Sequence, residues 1–267
     1  MTYVLYHGSC WDGFGAAWAA LRGLSGQGHL EFIACNYNQP MPDIPDRQDV
    51  YIVDFSYPRK DLESLAARSR FLLVLDHHKT AQAELDGFPH AIFDMNHSGA
   101  VITWQYFFPS EPVPALLAYI EDRDLWRHQL PFSEAIHAWI ASYPKTFESY
   151  TKMAEELQGQ NLSSVVAEGN AILRFKNQKV DEICQLTRLQ EWKPYGIIPS
   201  VNTSCFGSEI AHKLLETHPD SKFAAYYFTR VDGKVQWGLR SRKDFDCSEV
   251  AKQYGGGGHA QASGFEV

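Results

Sequence analysis

The sequence predicts an α/β protein with three parts: an N-terminal parallel sheet with flanking helices, a helical connector, and a smaller α/β C-terminal domain with a mixed sheet. Three observations predict it. First, the apolar runs YVLY (3–6), VYIV (50–53) and FLLVL (71–75) read as buried strands. Second, helical patterns at 14–24 (FGAAWAALRGL) and 59–70 (RKDLESLAARSR) separate them, and alternation of strand and helix implies parallel strands joined by right-handed crossovers. Third, the last 75 or so residues turn to strands and a hairpin signal, Asp232-Gly233 between KFAAYYFTRV and KVQWGLRS.

The elements follow in order. Further helices are expected at SGAVITWQYFF, PALLAYIEDRDLW and SEAIHAWIASY. Residues 147–187 look helical and mostly polar, with Val166, Leu173, Val180 and Ile183 at spacings of seven, seven and three. The expected domains are therefore 1–145, a connector at 146–188, and 189–267. In the last of these, GIIPSVN is a strand, and Asp246 with Glu249 reads as a capping box opening the helix SEVAKQY.

Composition narrows the function. With 32 Asp plus Glu against 24 Lys plus Arg, the net charge is -8. A protein that sheathes long duplex nucleic acid draws its affinity from a basic excess, and that excess is missing. Five cysteines without a CxxC pair imply reduced thiols. The opening MTYVLYHGSC has neither a basic stretch nor a long apolar one, so neither a secretory leader nor a membrane anchor is expected, and a cytoplasmic location is.

Ligands of parallel sheets bind beyond the carboxyl ends of the strands, and each N-terminal strand ends there on chemistry-bearing residues. His7 and Asp12 close the first, five residues apart, with Gly13 and Gly15 allowing close backbone approach to a ligand. Asp54 closes the second and Asp76-His77-His78 the third. Taken singly, Asp12 is equally an N-cap and Asp54 a loop residue. The motif EDRD adds Asp122 and Asp124 at a helix end, where ion pairs with Arg123 or Arg127 are the plain alternative. Together, imidazoles and carboxylates from adjacent strand ends suit Mn, Fe, Co or Zn better than Mg or Ca, and are numerous enough for two ions sharing a carboxylate.

The order HxxxxDG, VDFS, DHHK, EDRD and GGGGHxxASGF resembles the DHH phosphoesterase superfamily, in its branch with the DHH-associated C-terminal domain, which includes RecJ-like nucleases and nano-RNases. The resemblance implies two divalent metal ions, Mn2+ foremost with Mg2+ or Co2+ as alternatives. It implies His7, Asp12, Asp54, His77 and Asp122 as ligands, with Asp54 as the bridge and Asp124 as the alternative to Asp122. His78 would face phosphate and Asp76 would orient an imidazole. In the C-terminal domain, Arg240, Gly255, Gly256, Gly257, Gly258 and His259 would hold the substrate, with Lys79 a further basic candidate and the active site in the cleft between domains. Many relatives carry DxD in the first motif, whereas this chain reads Cys10-Trp11-Asp12; Cys10 is read as spectator packing rather than as a softer ligand. The implied activity is hydrolysis of short oligonucleotides or nucleotides by a monomer or homodimer. Pyrophosphate or short polyphosphate hydrolysis, and nucleotide binding without catalysis, are the alternatives.

Overall fold

Continuous apolar runs become strands buried on both faces, because a parallel sheet is covered by helices on each side. The computed structural model describes residues 1–8, 10–37, 39–159 and 161–267, and the chain folds as two compact units, Met1–Leu173 and Arg174–Val267.

The first unit comprises β1 (Thr2–His7), α1 (Trp11–Gly23), β2 (Leu30–Cys35), β3 (Asp49–Val53), α2 (Arg59–Arg68), β4 (Phe71–Asp76), α3 (Lys79–Glu84), β5 (Ala91–Phe93), α4 (Gly99–Phe107), α5 (Ala115–Asp124), α6 (Ser133–Ala141) and α7 (Phe147–Gln158). The sheet order is β2-β1-β3-β4-β5, parallel throughout. Alternate residues of each strand enter opposite cores. Val4, Val53, Leu73 and Leu75 pack with Trp18, Trp104, Leu117, Trp139 and Tyr150, while Leu5, Ile52 and Val74 pack with Leu62 and Leu65 of α2. Chain order along the sheet reverses between β1 and β3, the switch point at which doubly wound sheets open a crevice for ligands. His7 and Asp54 flank that point.

α1 lies unusually close to its neighbours. A Cβ on Gly13 would sit 2.1 Å from the carbonyl oxygen of His7, and one on Gly15 would sit 3.0 Å from Cβ of Ala100. These glycines, expected to admit a ligand, instead serve packing of the helix against β1 and α4.

A long helix, α8 (Leu162–Cys184), crosses the division of the chain at Leu173/Arg174. The expected connector is helical, but α7 belongs to the core of the first unit. Its Tyr150, Met153 and Leu157 are buried there, and Tyr150 Oη donates to the carbonyl of Trp11 at 3.1 Å.

The second unit continues with β6 (Arg188–Trp192), β7 (Gly196–Asn202), α9 (Gly207–Thr217), β8 (Phe223–Thr229), β9 (Val235–Ser241), α10 (Ser248–Gln253), β10 (Gly257–Gly258) and β11 (Ala262–Glu266). Its sheet, ordered β10-β11-β9-β8-β7-β6, is mixed: β7 and β8 run parallel around α9, and the other neighbours are antiparallel. The Asp232-Gly233 turn joins β8 to β9 as expected, with Gly233 at φ 84°. Asp246 departs from the expected capping box. Its Oδ1 accepts from the amide and hydroxyl of Ser248, so it turns the chain ahead of α10. Among the described residues, no helix is long and apolar enough to cross a membrane.

Candidate metal centre

The C-terminal ends of β1, β3 and β4 bring His7, Asp54 and Asp76-His77-His78 together, and the first turn of α1 adds Cys10 and Asp12. At the middle is Asp54. Its φ of 54° is left-handed, a conformation costing a non-glycine residue roughly 1–2 kcal/mol. Such strain persists where surrounding structure enforces it. Here the Asp54 amide still donates to the carbonyl of Leu75 at 2.9 Å, while the turn directs the carboxylate inward. Only 1% of that side chain is exposed.

The two carboxylate oxygens of Asp54 face different partners. Oδ1 lies 3.0 Å from Nε2 of His77; Oδ2 lies 3.6 Å from Nδ1 of His7 and 3.2 Å from Sγ of Cys10. On the first side, His77 Nε2 is also 3.6 Å from Asp12 Oδ2 and 3.7 Å from Asp124 Oδ2. Among the described residues of this unit, three groups of potential ligands have their donor atoms within 4.8 Å of one another: Asp12, Asp54 and His77; His7, Cys10 and Asp54; and Asp54, Asp76 and His78. Asp54 belongs to each.

Asp12 is held by backbone. Its Oδ2 accepts from Gly99 N at 2.7 Å and its Oδ1 from Ala100 N at 3.1 Å, so the carboxylate sits at the N-terminus of α4, where amides and the helix dipole favour an anion. Gly99 is as close to Asp54: a Cβ there would lie 2.4 Å from Cβ of Asp54 and 2.6 Å from its Oδ1. The segment Ser98-Gly99-Ala100 thus positions two carboxylates at once, a role the sequence did not reveal.

The third motif is organised by Asp76. Its Oδ1 accepts from the amides of His77 (2.7 Å) and His78 (3.3 Å) and lies 2.7 Å from Nδ1 of His78. Tyr37 packs edge-on against both His7 and His78, with ring centroids 5.6 Å apart in each case. Lys79 is exposed at the start of α3.

Electrostatics follow from packing acids together out of water. Burial foremost, then the charges of Asp54 and Asp124, push the Asp12 carboxyl well above its ordinary range. Burial opposes ionisation of Asp54 as well, but hydrogen bonds from His7 and His77 and the imidazole charges hold it well below. For His77, burial is outweighed by its hydrogen bond to Asp54 and by the charges of Asp124, Asp54 and Asp12, which raise its pKa well above that of a free imidazole. Burial likewise pulls His78 down, but Asp76 prevails and raises it. An acidic cluster of this kind is costly in low dielectric unless a cation compensates it, and carboxylates mixed with imidazoles make a donor set suited to first-row divalent metals. The residues present fit such ions.

EDRD resolves into two jobs. Asp122, implied as a ligand by resemblance, turns away from His77. It accepts from the amides of Gln129 (2.9 Å) and Leu130 (3.3 Å) and from the Ser133 hydroxyl, tying down the loop after α5. Asp124 is the carboxylate facing His77. Glu121 accepts from Ser98 N at 2.9 Å and from Arg127 Nη1 at 2.9 Å, so it supports the loop that carries Gly99.

Cys10 is not the inert core thiol expected. It caps α1, accepting from Gly13 N at 3.1 Å, and Sγ is 3.4 Å from Nδ1 of His7. Burial first, then the charges of Asp54, Asp12 and Asp124, push the thiol well above its ordinary range, so without a cation the sulfur keeps its proton.

In the second unit the glycine run ends α10 and starts a strand. Gly255, at φ 77°, follows the helix with its amide donating to Lys252 O (3.0 Å) and that of Gly256 to Ala251 O (2.9 Å), a Schellman ending. A Cβ on Gly256 would lie 2.1 Å from the carbonyl oxygen of Gly264, so glycine is required by close strand approach. Gly257 and Gly258 then pair with Gly264 and Ser263. His259 N donates to Ala262 O at 2.8 Å, and Ala262 stands opposite Arg240. The Arg240 guanidinium donates to Ser208 Oγ at 2.6 Å and Leu239 O at 2.8 Å.

Comparison with known proteins agrees with this architecture. Residues 207–267 match the DHHA1 domain. A relative from Acanthamoeba polyphaga mimivirus, the uncharacterized protein R106, is 32% identical across 98% of this chain; the chain spans 66% of that relative's length. The fold is that of RecJ from Thermus thermophilus, solved with Mn2+ (TM-score 0.51, 15% identity, 100% of this chain and 49% of that one). It is also that of the pGpG-specific phosphodiesterase PggH from Vibrio cholerae (TM-score 0.50, 14% identity, 100% of this chain and 92% of that one). With Asp76-His77-His78 closing β4 and a DHHA1 domain at residues 207–267, the chain has the fold of these two proteins.

Proposed function

We propose that this protein is a two-metal phosphodiesterase that hydrolyses short oligonucleotides. The observation that carries this reading is Asp54, a buried carboxylate with one oxygen toward His77 and the other toward His7 and Cys10. One ion would be held by Asp12, Asp54, His77 and Asp124, the other by His7 and Asp54 together with a further group on the same side. When bound, paired divalent cations supply a hydroxide nucleophile at neutral pH and neutralise charge on the attacking and leaving oxygens.

The remaining residues orient and balance charge. Asp76 engages Nδ1 of His78 and favours the protonated ring, which suits Nε2 to donate to a phosphoryl oxygen. Gly99 and Ala100 amides keep the Asp12 carboxylate in place. In the DHHA1 domain, Arg240 and His259 would supply donors for a substrate phosphate, while the Gly255–Gly258 run, its Gly255 and Gly256 amides committed to the end of α10, would shape the turn that carries His259. PggH, a pGpG-specific phosphodiesterase of the same fold, supports a nucleotide substrate. The net charge of -8 favours short pieces over long polymers, and Mn2+ is the ion of first choice.

The test is turnover of metal-stripped protein, resupplied with Mn2+, across 5′-phosphorylated di- to pentanucleotides, cyclic dinucleotides and pyrophosphate. Mononucleotide release is expected from the linear oligonucleotides. Asp54→Asn should reduce it by at least ~10²–10³-fold, on the scale of losing one electrostatic stabiliser. Release of phosphate from pyrophosphate alone, or tight nucleotide binding without turnover, would replace this reading.

A further inference from the structure

We infer that Cys10 is a metal ligand, and that its thiolate completes the His7 side of the centre and gives that side a preference for thiophilic ions. This rests on the two-metal reading above and goes beyond it by naming the missing donor and its chemical consequence.

The argument is geometric. Sγ of Cys10, Nδ1 of His7 and Oδ2 of Asp54 form a triangle with sides of 3.4, 3.2 and 3.6 Å. Donor atoms this close, from one sulfur, one imidazole and one carboxylate, surround a common point within reach of zinc- or cobalt-type bonds of about 2.0–2.3 Å. Asp54, whose side chain is 1% exposed, supplies the oxygen at one corner of that triangle. The sulfur is also pinned from behind. Gly13 N donates to it at 3.1 Å from the first turn of the 13-residue α1, and an amide at a helix N-terminus supports the anionic sulfur once a cation has displaced its proton.

The buried cysteines elsewhere look different. Cys247 belongs to an apolar core with Phe223, Leu239 and Val250. Cys35 packs among Leu5, Ile44 and Phe55 and donates to the carbonyl of Ile33. Among the described residues, neither of these two thiols meets an imidazole and a carboxylate together.

Replacing an oxygen donor by sulfur changes what the site selects. Thiolate favours Zn2+, Co2+ and Fe2+ over Mg2+, whereas the side built from Asp12, Asp54, His77 and Asp124 has oxygen and nitrogen donors alone and suits Mn2+ or Mg2+. The two sides thus differ in softness. Coordination converts the thiol to thiolate, and its proton passes to solvent, so loading this side releases one proton from Cys10 per ion bound.

The test titrates metal-stripped full-length protein with Co2+, recording absorption and bound metal in parallel. A sulfur-to-cobalt charge-transfer band should grow to one equivalent and vanish in Cys10→Ser, while Cys184→Ser and Cys205→Ser retain it. Serine also caps helices, so Cys10→Ser should keep its fold; circular dichroism and thermal melting check this. Cys10→Asp should bind metal without the band and shift competition between Zn2+ and Mg2+ toward Mg2+. Bound cobalt without a sulfur band, or a band that survives Cys10→Ser, would overturn the assignment of Cys10 while leaving the two-metal centre standing. Failure to bind any divalent ion would overturn both.

Discussion

Gly99→Ala is a substitution of one methyl group that should act as a catalytic lesion. The added Cβ would lie 2.4 Å from Cβ of Asp54, 2.6 Å from its Oδ1 and 2.8 Å from its Cα. Carbon atoms in contact normally sit about 3.5–4.0 Å apart, so the 2.4 Å approach must open by about 1.1–1.6 Å. Asp54 cannot absorb this by rotating outward, since its neighbours His77, His7 and Cys10 already crowd it at 3.0–3.6 Å. A displacement near 1 Å at a reacting centre costs about 10²-fold, or about 2.7 kcal/mol of transition-state stabilisation. Stability should fall by about 1–3 kcal/mol, the cost of overpacking, with little helix propensity returned because Gly99 is the first residue of α4; the catalytic loss is therefore read on the folded fraction. The assay is Mn2+-dependent kcat/KM on a dinucleotide, alongside urea denaturation. A variant that retains more than about a third of wild-type kcat/KM would refute the reasoning, because Asp54 would then tolerate movement that a bridging ligand cannot.

The two acids of EDRD should separate cleanly. Asp122→Ala strips the acceptor from Gln129 N, Leu130 N and the Ser133 hydroxyl and should cost about 2–3 kcal/mol of stability, the range for buried donors left unpaired, as read by denaturation. Asp124→Ala should leave stability within about 1 kcal/mol and lower bound manganese and turnover; equal effects of the two would contradict their assigned roles. Mn2+ at a hundred times its dissociation constant should stabilise the protein by about 2.7 kcal/mol through mass action, and EDTA should reverse it; a melting temperature indifferent to Mn2+ would count against a cation completing the acidic cluster. For the metal-free protein, His78 has a folded pKa raised by Asp76 over the opposing effect of burial. The stabilisation from this pair is therefore fully present below the ordinary imidazole pKa of about 6.5 and lost as pH rises through the folded value. The stability gap between wild type and Asp76→Asn should accordingly be wider at pH 5.5 than at pH 9, and a gap that widens with pH would reverse the assignment.

Some of this centre was written locally. A run such as FLLVL followed by Asp76-His77-His78 identifies a buried strand and what stands at its carboxyl end, because a parallel strand needs apolar residues on both faces and its chemistry can only begin where they stop. The same holds for His7 after YVLY and Asp54 after VYIV. Three strand ends therefore locate this cluster of carboxylates and imidazoles from sequence alone. Strands with weak signals escaped: β10 is two glycines, with no side chain to show a period, and β2 (LEFIAC) is only partly buried.

Tertiary packing decided the rest. Asp122 and Asp124 sit two residues apart on α5, which places them about 200° apart around the helix axis, so only one can face His77. The choice was made by burial of Leu116, Leu117 and Ile120 in the core, which sets the rotation of α5 about its axis. The duties of Gly99 and Cys10 are likewise long-range: one is met by a carboxylate 45 positions earlier and the other by the same carboxylate 44 positions later. A one-dimensional pattern reports the side chain and its near neighbours; which distant atom will occupy the space beside it is fixed only when strands and helices share a core.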